Sequence, residues 1–145
     1  MKGDMKMGLR IGSEMPKLDK INWVSGYPEQ QASKPYLVHF WTLDCSSCIE
    51  LMPDVAALLK RYDGLIHTVS INLEGEDEEE VIAKAKKAGI EAPVGIDEET
   101  LLSDAFGYNF IPAFYLFDAN GSMRYFQQGQ DHVATLEQRI KRLLR

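Results

Sequence analysis

Cysteine is scarce in this chain of 145 residues: it has two, with three histidines, and 16 Lys and Arg against 22 Asp and Glu. Each shortage removes a class of function. A zinc site takes four ligands, and beside Cys45 and Cys48 only His39, His67 and His132 remain, none spaced as a second ligand pair. No metal centre is expected. Nor do the two cysteines read as a structural staple, because a bridge closing so short a loop removes little entropy from the unfolded chain. The first ten residues are broken by Lys2, Gly3, Asp4, Lys6, Gly8 and Arg10, leaving no continuous apolar segment for a secretory signal, and no stretch reaches membrane-spanning length. A cytoplasmic protein is expected. The net charge of -6 and a pI near 5.1 argue against nucleic acid or an anionic membrane as partner.

What remains is the make-up of an ordinary globular domain, 45% hydrophobic and 26% charged, long enough to bury a core unaided. Residues 1–145 read as one domain. Residues 1–10 read as a mobile tail that leads into an arm along the core. The apolar run 36–41 reads as a buried strand and empties into the turn that carries Cys45 and Cys48. Beyond it, apolar residues at 51, 52, 55, 58, 59 and 62 recur with helical period. A strand thus delivers Cys45 to the first turn of a helix, where unpaired N–H groups and the helix dipole favour a thiolate.

Residues 65–72 form the next expected strand, after the break at Asp63-Gly64. Strand, helix and strand make a right-handed βαβ unit with a parallel pair. Six acids crowd positions 74–80, where Asp77 and Glu80 are placed as a capping pair and the other acids suit a helix N-terminus; Lys84, Lys86 and Lys87 close that helix before Gly89. A short strand over 92–96, a short helix over 100–106, a strand over 111–117, a turn at 118–121, a return over 122–127 and an amphipathic helix from Val133 complete the reading. A short strand over 21–24 and a turn of helix over 28–32 precede them.

Several of these residues resemble a known family. Phe40-Trp41 before the cysteines, Cys45-Ser46-Ser47-Cys48, Pro53, and Phe110-Ile111-Pro112-Ala113-Phe114 are similar to the thioredoxin fold. Glu50-Leu51-Met52-Pro53 and Gly12-Ser13-Glu14-Met15-Pro16 resemble the TlpA/ResA group of thiol-disulfide oxidoreductases, nearest to its short, leaderless YkuV-type members. The resemblance implies an α/β, three-layer sandwich with a mixed central sheet and helices on both faces. It implies a dithiol-disulfide oxidoreductase that reduces protein disulfides, with no cofactor beyond the Cys45–Cys48 couple and with a recycling reductant or oxidant protein as partner. The expected state is a monomer.

Residue roles follow from the same resemblance. Cys45, exposed at the helix start, is the expected nucleophile, and Cys48, further in, the resolving thiol. Pro112 is the expected cis-proline beside the disulfide, with Ile111 offering its backbone to substrate. Trp41 is expected to pack near the disulfide. Asp44 replaces the family's usual tryptophan, and either raises the Cys45 pKa by its like charge or caps the helix. His39 stands where thioredoxin has a buried acid, and either ferries the Cys48 proton or is a satisfied core residue. Glu74 resembles in placement a glutamate that ResA-type proteins hold near their cysteines. Two other classes compete: a redox-sensing or docking module without turnover, and a thiol peroxidase.

Overall fold

The computed structural model describes residues 8–29, 33–73, 76–129 and 133–145. Tail residues 1–7, Glu74, His132 and the end of the expected 28–32 turn lie outside them. The elements run β1 (Asn22–Ser25), β2 (Tyr36–Trp41), α1 (Ser46–Arg61), β3 (His67–Leu73), α2 (Glu78–Ala88), β4 (Val94–Asp97), α3 (Leu101–Phe106), β5 (Ala113–Phe117), β6 (Met123–Gln128) and α4 (Val133–Leu143). One six-stranded sheet holds them in the order β1-β4-β3-β2-β5-β6. β2 is parallel to β3, β3 to β4, and β5 is antiparallel to both β2 and β6.

Strand β2 is central because it is apolar on both faces. All six of its residues are buried, and alternate side chains enter two separate cores. Leu37 and Trp41 join a cluster with Met52, Val55 and Leu58 of α1, Val81 and Ala85 of α2, and Leu136 and Ile140 of α4. Tyr36, Val38 and Phe40 face the other way, onto Leu102 and Phe106 of α3 and Leu18 of the N-terminal arm. Three helices therefore cover one face, while α3 and the arm cover the other. The arm is pinned by Leu9 N–H donating to the Phe106 carbonyl at 3.0 Å and Met15 N–H to the Gly121 carbonyl at 2.9 Å. Gly107 (φ +74°) makes room for its start, since a Cβ there would lie 2.4 Å from the Gly8 Cα.

Local signals account for most element ends. Asp77 accepts from Glu80 N–H at 3.0 Å and Gly89 ends α2 in the left-handed conformation, as the expected capping pair and terminator require. Two strands begin later than expected. Leu65 and Ile66 prolong the turn, both donating N–H to the Tyr62 carbonyl, so β3 starts at His67, whose N–H meets the Pro35 carbonyl. β5 starts at Ala113 because Pro112 has no N–H for the ladder. Among the described residues no helix is long and apolar enough to cross a membrane.

Candidate active site

The end of β2 and the start of α1 bring the two cysteines together as a disulfide, with Cα atoms 5.2 Å apart. Cys45 is itself the N-cap of α1. Its backbone is extended (φ -93°, ψ 102°) and its Sγ accepts from Cys48 N–H at 3.2 Å. Asp44 therefore does not cap the helix: the capping position is one residue later and a sulfur fills it. The Asp44 side chain is exposed and accepts none of the helix N–H groups. Cys45 is half-buried, whereas Cys48, inside the first turn, is fully buried. Ser47 Oγ lies 3.4 Å from Cys45 Sγ, within reach to donate to it.

Against the disulfide stands the loop before β5. The Ile111–Pro112 peptide bond is cis, and the Ile111 carbonyl oxygen is 3.8 Å from Cys45 Sγ, where a reduced thiol can donate to it. Gln128 Oε1 accepts from the N–H groups of Asn109 (3.4 Å) and Phe110 (3.3 Å), and Pro112 C=O accepts from Gly129 N–H at 2.8 Å. This loop is thus clipped to β6 on both sides of Ile111. Phe110 beside it is largely exposed.

Trp41 is fully buried in the same hydrophobic cluster as Cys48, with Cys45 and Ile111 packed on the cluster's margin. His39, two residues earlier on the same face, is buried too. Its Nδ1 is 3.0 Å from Ser70 Oγ, its ring stacks on Phe114 at 5.0 Å between centroids, and Nε2 has no hydrogen-bond partner among the described residues. Burial holds the imidazole down to about 3, hence neutral at physiological pH. It is a core residue with one nitrogen hydrogen-bonded, as the second of the two expectations has it. Glu74 lies outside the described residues. Among the described residues of that acidic segment, Glu76 reaches the turn before Cys45, its Oε1 accepting from Leu43 N–H and from Asn72 Nδ2, both at 2.8 Å. Sequence reasoning passed over it among six neighbouring acids; the one available signal was Asn72, a polar residue in a buried strand.

Known proteins with this arrangement are numerous. A thioredoxin-like domain family matches residues 29–144. The thiol-disulfide oxidoreductase YkuV of Bacillus subtilis is 30% identical over 144 residues, covering 94% of this chain and 97% of that protein. The chain belongs to the thioredoxin-like thiol-disulfide oxidoreductases. ResA of Geobacillus thermodenitrificans is 27% identical over 63% of this chain and 52% of its own. The solution structure of an oxidised thioredoxin-like protein, 31% identical, superposes with a TM-score of 0.81 over 95% of this chain and 97% of its own. A thiol:disulfide interchange protein from Chlorobium tepidum, at 23% identity, shares the fold with a TM-score of 0.79 over 92% and 97% of the two chains. The thioredoxin fold and the Cys45–Cys48 redox disulfide expected from the sequence are therefore both found.

Proposed function

We propose that this protein reduces protein disulfides, with Cys45 as nucleophile and Cys48 as resolving thiol. The observation that carries this reading is the asymmetry of the pair: Cys45 is half-buried and its Sγ accepts the Cys48 N–H at the helix start, while Cys48 is fully buried. An N–H aimed at sulfur and the positive end of a helix both favour the thiolate, and exposure lets a substrate reach it. The Cys45 thiolate attacks one substrate sulfur, forming a mixed disulfide and expelling the other sulfur as a thiolate, which takes up a proton. The Cys48 thiol, losing its proton, then attacks Cys45 Sγ. The Cys45–Cys48 disulfide forms and the second substrate thiol leaves: two electrons have passed from the protein to the substrate.

The surrounding residues supply orientation. The Ile111 carbonyl lies against Cys45 Sγ, and Trp41 packs in the same buried cluster as Cys48. A recycling dithiol protein restores the reduced form, and we place the protein as a monomer in the cytoplasm, where such a reductant is kept reduced.

In the test, Cys48→Ser should accumulate a mixed disulfide on Cys45 with a disulfide-bonded protein substrate, and Cys45→Ser should form none. Insulin reduction with dithiothreitol as electron source should be catalysed by the wild type alone. Alkylation of the reduced protein that falls first on Cys48 would contradict the assignment, and absence of turnover would favour a sensor or docking module.

A further inference from the structure

Between the end of β2 and Cys45 lie only Thr42, Leu43 and Asp44, and the position of this turn decides whether Cys45 Sγ meets the N–H of Cys48. One carboxylate oxygen holds the turn in place. Glu76 Oε1 receives the Leu43 N–H at 2.8 Å, and the same oxygen receives Asn72 Nδ2 at 2.8 Å. Asn72 is fully buried at the end of β3, directly opposite Trp41 in the parallel register. The chain of support is continuous: the sheet fixes Asn72, Asn72 fixes the carboxylate, and the carboxylate fixes the turn two residues before the sulfur. None of the other acids of this segment among the described residues makes a hydrogen bond to that turn.

We propose that Glu76 is a positioning residue for Cys45, acting through the reach of its side chain and not through its charge. The proposal rests on the assignment of Cys45 as nucleophile. It makes a distinction of sign. If Glu76 acts by reach, losing it frees Cys45 to leave the cap geometry, the thiolate loses the Cys48 N–H, and the reduced thiol ionises at higher pH. Were Glu76 felt only as a nearby negative charge, its removal would favour the thiolate and the thiol would ionise at lower pH.

Two near-isosteric variants separate the cases. Glu76→Gln keeps the length and an acceptor oxygen but removes the charge, whereas Glu76→Asp keeps the charge and shortens the side chain by one methylene. Glu76→Ala removes both. The measurement is the rate of iodoacetamide alkylation of the reduced protein from pH 5 to 9, with the modified cysteine identified by peptide mapping. Gln should match the wild type, while Asp and Ala should both titrate later and react about threefold or more slowly below the wild-type pKa, as about half a pKa unit requires. At pH 9 the gap should close. Should Ala fail to fold, Asp carries the same comparison, and circular dichroism on each variant establishes that the fold is kept. The proposal is overturned if Gln behaves as Ala does, if Asp matches the wild type, or if no variant differs. Modification falling on Cys48 first would instead overturn the nucleophile assignment on which it stands.

Discussion

Acidification of the oxidised protein, in which neither cysteine titrates, should drain its stability through His39. The imidazole ionises near 6.5 in an unfolded chain and is held to about 3 in the fold by burial. Between those values the unfolded chain binds a proton that the native protein refuses, so the stabilisation is complete above about pH 6.5 and is lost as the pH falls toward 3. The slope approaches about 1.4 kcal/mol per pH unit and amounts to about 3 kcal/mol between pH 7 and pH 4. That is a large share of the ~5–15 kcal/mol typical of a domain. Other groups also move: hydrogen bonds from Arg61 and Tyr62 lower Glu137, and burial raises Asp97. The first adds to the loss on acidification and the second opposes it, so the wild-type curve alone decides nothing. His39→Asn isolates the imidazole, because an amide at the Nδ1 position can keep the Ser70 bond without titrating. Urea unfolding at pH 7, 6, 5 and 4 should find the variant less stable at pH 7, by about 1–3 kcal/mol for its lost packing on Phe114. It should also be flatter, losing about 3 kcal/mol less than the wild type by pH 4. Parallel curves for the two proteins would refute the reasoning.

Reduction should raise tryptophan fluorescence through Trp41, which shares a packed cluster with Cys48, and not through Trp23, which lies against the opposite core. Trp23→Phe should keep the change and Trp41→Phe abolish it; the reverse pattern would contradict the packing. For Asp44, exposed and off the cap, Asp44→Asn should lower the Cys45 thiol pKa by less than about one unit and make the couple more oxidising by at most about 30 mV. The melting temperature should stay unchanged, because Cys45 and not Asp44 caps α1. A fall in melting temperature with no shift of potential would show that Asp44 serves the fold.

Legibility followed the range of the interactions involved. Strand β2 was readable to the residue because its apolar run is bounded by Pro35 and Thr42, and α2 because its cap and its terminating glycine are local chemistry. The later starts of β3 and β5 were not. Leu65 and Ile66 have strand-like side chains, but their N–H groups are taken by the Tyr62 carbonyl, which composition does not report. At the site, the Cys45-x-x-Cys48 spacing and the facing Ile111-Pro112 pair were legible from resemblance. Of the two roles open to Asp44, capping fell away because the cap lies one residue later; asparagine, aspartate and serine dominate that position, and a cysteine there looks like chemistry alone. Glu76 escaped because its partner, Leu43 N–H, is 33 residues away.

The way the two outer strands end bears on what a reductant of this kind must avoid. A protein that exchanges disulfides with other proteins offers them two open rows of backbone groups at the borders of its sheet, ready templates for adding a strand and for aggregation. Here both borders are obstructed. β1 has only four residues and its register slips between Trp23 and Ser25, which breaks the regular ladder. Along β6, Met123 is already bonded through its C=O to Gly12 N–H and through its N–H to the Ser13 carbonyl of the arm, and further on the Arg139 guanidinium donates to the Phe126 carbonyl at 3.3 Å. Strand addition is thereby opposed at these points of both borders.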